Sequence, residues 1–184
     1  MRGYKVEGII IKRRDQGEAD RIITLFSRSK GKISLKAKGV RQSNSRRAGS
    51  LELFNRVKAG VARGHSDLDI LTEVEVLDAY SSWRKFLGRI VIAYQLCETI
   101  DKLTPDRQPH PGIFELLESF LSQISSLSDD WQETVDSWLT RIVIELGFLD
   151  PGIKPEMNIK DYIEQLSERP INSVKLLKKL SPRQ

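Results

Sequence analysis

The hydrophobic period changes once along this chain, at Tyr80, and that change limits the fold more than any other feature. Before it, apolar residues fall in short runs at 4–13, 20–28, 32–38, 53–64 and 68–80. These runs are rich in β-branched and aromatic residues, and 32–38 alternates strictly, as a strand with one buried face requires. Gly17, Gly31, Gly39, Gly49 and Gly64 punctuate them in the manner of turns. Five strands with no helical pattern between them predict a small closed or partly closed barrel, which leaves no open sheet edge.

Beyond Tyr80 the spacing is helical. Phe86, Ile90, Ala93, Cys97 and Ile100 share one face, as do Ile113, Leu117, Phe120, Ile124 and Leu127. Trp131, Val135, Trp138, Ile142 and Leu146 form a third stripe. Pro111 suits a first helical position, Asp129 and Gln132 have capping-box spacing, and Gly147 suits a C-terminal stop. Two shorter helices are expected near 158–168 and 171–180, divided by Pro170. The fold class is therefore α+β in two domains, a β domain over 1–80 and an all-α helical domain over 81–184.

Charge divides at nearly the same place. Residues 1–50 hold 14 Lys and Arg against 4 Asp and Glu, although the whole chain carries only +5. The stretch Gly31–Arg47, "GKISLKAKGVRQSNSRR", has six basic residues and no acid. In a strand alternate side chains face opposite ways, so Ile33, Leu35 and Ala37 point into the barrel while Lys32, Ser34, Lys36 and Lys38 point out. The polar loop that follows adds Arg41, Arg46 and Arg47. Lysine acts on a phosphate as a point charge and arginine forks onto it with two hydrogen bonds. Together they make a groove for a nucleic-acid backbone, with affinity that falls as salt rises. Arg13 and Arg14 extend it, and Arg56, Lys58 and Arg63 are further candidates. Tyr4, Phe26 and Phe54 read as packing before stacking, which leaves bases free to pair.

Other chemistry finds little support. No apolar run approaches the roughly 18–20 residues that span a bilayer, and no signal peptide is recognisable, so a cytoplasmic protein is expected, nucleoid-associated on the DNA-binding role that the resemblance below implies. His65 and His110 lack the spacing of a triad or a metal site. Asp15, Glu18 and Asp20 have the makings of a divalent-ion site of a metal-dependent nuclease, but a turn cap or a partner for Arg21 is the plainer reading. Cys97 is a core residue rather than a nucleophile. The expectation is a binding protein, not an enzyme; an RNA-binding OB-fold protein of translation is the other alternative.

The runs "GEADRI" (17–22), "GKISLKAKGVR" (31–41) and "GSLELF" (49–54), in that order, resemble the RecO family of bacterial recombination mediators. "LTEVEVLDAY" and "YQLCETIDKLTPD" continue the likeness, and "SERPINSVKLLKKL" (167–180) is similar to the family's C-terminal end, so a complete chain is expected. The resemblance implies an N-terminal five-stranded OB-fold barrel followed by a helical domain. It implies binding of single- and double-stranded DNA, strand annealing, and RecA loading on DNA coated with single-stranded DNA-binding protein (SSB), in partnership with RecR. It directs the DNA role to Lys36, Lys38 and Arg41, with Arg46 and Arg47 beside them. An acidic SSB tail ending in an apolar residue calls for a basic-rimmed apolar site, for which Arg141, Lys175, Leu176, Lys178 and Lys179 are candidates. Many members carry a four-cysteine zinc module; with Cys97 the sole cysteine, no zinc and no other cofactor is expected.

Overall fold

A computed structural model describes residues 3–42, 45, 47–64 and 68–173. The chain divides into two compact units, one of residues 1–80 with 105–114 and the other of 81–104 with 115–184.

The first unit is a closed barrel of five strands: β1 (Gly3–Gln16), β2 (Asp20–Ser27), β3 (Gly31–Ala37), β4 (Arg56–Ala62) and β5 (Asp69–Asp78). Its strand order is β1-β2-β3-β5-β4, closing back on β1. The long first strand makes closure possible. Its N-terminal half pairs with β4 and its C-terminal half with β2, and a register shift between Ile10 and Lys12 turns the corner. At that bend Ile10 trades its partners for the 49–55 turn: its amide donates to the Asn55 carbonyl and its carbonyl accepts from the Phe54 amide. Four pairings are antiparallel; β3 and β5 meet in a short parallel pairing, Leu35 with Asp69 and Lys36 with Ile70. Ile10, Ile23, Leu25, Leu35, Val57 and Ala59 are fully enclosed in the barrel interior. Burying such side chains contributes about 1.5–3 kcal/mol for each large one.

The outer face of β2 is also covered. Ile22 and Phe26 alternate with interior-facing Ile23 and Leu25, yet both are buried, and Phe26 lies 6.5 Å from Phe114 by ring centroids. Phe114, in the 105–114 stretch, covers Phe26.

The second unit is built from α1 (Leu87–Leu103), α2 (Pro111–Gln123, which begins in the first unit), α3 (Gln132–Glu145) and α4 (Ile159–Ser167). Within it Phe120 and Trp138 stack at 4.8 Å and 7°, and the Trp83 indole donates to the Leu121 carbonyl. An aromatic pair of this kind adds about 0.5–1.5 kcal/mol beyond area burial. Pro111 opens α2 as expected. Gly147, at φ 78°, ends α3: its amide donates to Ile144 and that of Phe148 to Val143, the paired bonds of a left-handed cap. Asp129 is not the cap of α3; Trp131 holds that position with no side-chain bond. α4 has its own cap, Asn158, which accepts from the amides of Lys160 and Asp161. Most of the further helix expected over 171–180 lies outside the described residues.

Candidate nucleic-acid interface

Register places the basic residues at one end of the barrel. Arg14, Ile22 and Lys36 stand opposite one another across β1, β2 and β3, so their side chains share a face. Arg14 and Lys36 are then about 10 Å apart across two strand spacings. Lys38 follows the end of β3 in an exposed turn. The segment after it is folded back onto the β1–β2 turn: the Arg41 amide donates to the Ala19 carbonyl and the Arg41 side chain to the Gly17 carbonyl. Arg47 donates to the carbonyl of Lys38. Arg46 lies outside the described residues.

Carboxylates are threaded through the same surface. Lys36 Nζ is 3.0 Å from Asp20, Arg41 Nε is 3.3 Å from Asp15, and Arg13 Nη1 is 2.5 Å from Glu52. The donated bond from Arg21, reinforced by the charge of Arg41, holds the Asp15 carboxyl below its ordinary range. The Gly39 amide, and then Lys36, do the same for Asp20. These are surface pairs, worth about 0–1 kcal/mol each, so a phosphate can replace the carboxylate at small cost. Arg13, Arg14, Arg21, Lys36, Lys38, Arg41 and Arg47 face Asp15, Glu18, Asp20 and Glu52, a surplus of three positive charges. Asp15 and Asp20 therefore serve as partners of Arg21, Arg41, Lys36 and the Gly39 turn, the plainer of the two readings given to that acidic cluster.

One member of the expected row is elsewhere. Lys32 is 9% exposed and pairs with Asp106 at 3.4 Å under the 105–114 cover. Its backbone is also engaged, with the Arg107 amide donating to the Lys32 carbonyl at 2.8 Å. Strand alternation did put Lys32 on the outer face; that face is simply not solvated there. The sequence held a sign of this in "DRIITLFS", whose run of apolar residues is the mark of a strand buried on both sides.

In the helical unit Arg141 is exposed on α3, with its guanidinium 5.3 Å from the Phe120 ring. Lys175, Leu176, Lys178 and Lys179 lie outside the described residues. The periodic pattern gave no warning of a cavity of about 390 Å³ lined by Trp83, Phe86, Arg89, Asp129 and Trp131. Arg89 bonds the carbonyls of Leu127 and Ser128 through Nη2, while its buried Nη1 finds no hydrogen-bond partner among the described residues. An arginine inside an amphipathic stripe was the available signal. Cys97 is buried in α1, and burial pushes its thiol up, away from the reactive thiolate. As the only cysteine it does not fit a four-cysteine zinc module. Among the described residues no helix is long and apolar enough to cross a membrane.

Family comparisons agree with this architecture. Residues 1–80 match the model for the recombination protein O N terminal and residues 84–150 that for its C terminal. The chain is similar to the DNA repair protein RecO of Symbiobacterium thermophilum, with 32% identity over 145 residues, 79% of this chain and 57% of that protein. It is similar to those of Anaeromyxobacter sp. (strain K), 38% identical over 68% of this chain and 50% of the relative, and Pelotomaculum thermopropionicum, 36% over 64% and 45%. The chain thus spans about half the length of the curated relatives it matches. A closed five-stranded barrel and a helical unit, each matched by its own half of one family's description, mean that this chain belongs to the RecO family.

Proposed function

We propose that this chain is a DNA-repair mediator that binds single- and double-stranded DNA at the basic end of its barrel and anneals complementary strands. The observation that supports this is the gathering of Arg14, Lys36, Lys38, Arg41 and Arg47 around the ends of β1 and β3, with a net positive balance. Two strands repel through their phosphates. A surface that neutralises some of them on one strand lowers that repulsion toward the second, and the counterions released supply affinity. Phe26 and Phe54 are buried, so they offer no platform that would sequester bases.

The family supports a wider setting, in which this chain works with RecR on SSB-coated DNA and assists RecA loading in the cytoplasm. For the acidic, apolar-ended SSB tail, two places in the helical unit are compatible in chemistry. One is the exposed surface at Arg141 on α3. The other is the aromatic cavity at Arg89, whose Nη1 meets no acceptor among the described residues. Asp129 on the wall of that cavity opposes an acidic ligand.

Annealing of complementary strands coated with SSB, followed across a salt series, tests the reading. Acceleration that fades steeply as salt rises is expected; no acceleration at any salt rejects it.

A further inference from the structure

The opposite end of the barrel carries a second cationic cluster. Gly31 and Ala37 mark the two ends of β3, about 20 Å apart at the rise of a strand. At the Gly31 end a cavity of about 350 Å³ is lined by Tyr4, Lys30, Arg63, Asp69 and Arg107. Three cations surround one carboxylate. Asp69 is the buried floor: it accepts from the Tyr4 hydroxyl at 2.8 Å and lies 3.6 Å from Arg107. Lys30 sits over the Tyr4 ring at 5.4 Å. Burial, and then the bond to Asp69, push the Tyr4 hydroxyl up to about 12, so it adds no charge.

Arg107 is delivered by a strap. Residues 105–108 are held against the β2–β3 turn by the bond from the Arg107 amide to Lys32 and by the Lys32–Asp106 pair. Arg107 has φ 60°, a backbone state that ordinary side chains seldom occupy. Such strain is kept where surrounding contacts impose it, and it gathers at functional positions. Here it turns a guanidinium toward Lys30 and Arg63 at the mouth of a polar cavity.

We propose that Lys30, Arg63 and Arg107 form a second seat for a nucleic-acid phosphate, so that one chain holds two strands at once. This rests on the DNA-binding reading above and adds a second site to it. Cations gathered around a concave mouth with one neutralised carboxylate suit a phosphodiester. The spacing suits two strands. The Asp69 floor stands opposite Leu35, but Lys30 precedes Lys36 by six residues, about 20 Å at the rise of a strand. That is more than twice the screening length of about 8 Å at physiological salt, so a strand at Lys30 is only weakly repelled by one at Lys36. Two strands tethered this close meet at effective concentrations of about millimolar, far above those of dilute strands in solution.

The test uses the full chain and two short oligothymidines, one labelled with a donor and one with an acceptor dye. Wild-type protein should bring both dyes onto one molecule. In Lys30→Ala/Arg63→Ala, which alters only two exposed side chains, energy transfer should collapse. Annealing of dilute complementary strands should slow by about tenfold or more, while affinity for one oligonucleotide stays within about twofold because the first end is intact. Arg107→Ala should act in the same direction. Unchanged energy transfer and annealing in the double variant would overturn the second seat, as would wild-type protein that saturates with a single strand; both results leave the first site standing. Wild-type protein that binds no oligonucleotide would instead reject the DNA-binding reading, and this proposal with it.

Discussion

Gly31 and Gly17 have nearly the same backbone, φ 65° and 59°, but very different surroundings. A methyl group at Gly17 meets nothing within 4 Å, whereas at Gly31 it falls 2.0 Å from the Gln108 carbonyl oxygen and 2.4 Å from its carbon. The two alanine variants therefore separate conformational cost from contact with the strap. Gly17→Ala should cost about 1–2 kcal/mol, the penalty of a left-handed residue with a Cβ. Gly31→Ala should cost that much again plus the overpacking penalty of about 1–3 kcal/mol, because the atom it strikes is main chain and the strap must move. Amide exchange of the barrel strands, with the Arg107 amide as reporter of the strap, is the suitable assay. Tryptophan fluorescence would miss the effect, since Trp83, Trp131 and Trp138 all belong to the other unit. The reasoning is refuted if the two variants lose protection equally, or if the Arg107 amide in Gly31→Ala exchanges as slowly as in wild type.

Two further outcomes follow from charges. Asp15→Asn/Asp20→Asn removes the carboxylates beside Arg41 and Lys36 and should tighten DNA binding severalfold in titrations at moderate salt; weaker binding would mean that those carboxylates are needed to position the cations. Glu98 accepts from the amides of Asn172 and Ser173 and from the Ser173 hydroxyl, and pairs with Lys102. Burial alone would raise its carboxyl, but these donors outweigh it and hold the group below its ordinary value near 4.5. A depressed carboxyl stabilises the fold above its unfolded value, and that contribution is lost as pH falls through the lower folded one. Exchange protection at Asn172 and Ser173 should accordingly hold from pH 7 to 5 and fall below about 4.5. Glu98→Gln should lower it by about 1 kcal/mol at neutral pH, allowing for partial exposure and for the acceptor that glutamine retains.

The sequence made the barrel legible because strand runs divided by glycines have few other ways to bury their apolar faces. It made the ends of α2 and α3 legible through Pro111 and Gly147, residues whose backbone limits decide where a helix can begin or stop. It did not show that α1 begins only at Leu87, since "SSWRKF" carries apolar residues at helical spacing while folding as turns. Nor did it show that Lys32 is covered, because the covering residues 105–114 lie some 70 positions away and no local pattern couples them to β3. Lys36, Lys38 and Arg41 were proposed as a set from strand alternation, the polar loop after β3 and the family resemblance. Their partners Asp15 and Asp20 were not, because which carboxylate meets which cation depends on the fold of the 38–47 segment over the β1–β2 turn. Arg107, placed by a strained residue in a connection between helices, left no signal in sequence.

On the proposed function, cations at the Ala37 end of the barrel neutralise phosphates. The affinity of Lys36→Ala/Lys38→Ala/Arg41→Ala for single-stranded DNA, measured from low to high salt beside wild type, tests it most directly. Losing three phosphate contacts should weaken binding at low salt and reduce the slope of log affinity against log salt by about 2. Superimposable salt curves for the two proteins would contradict it.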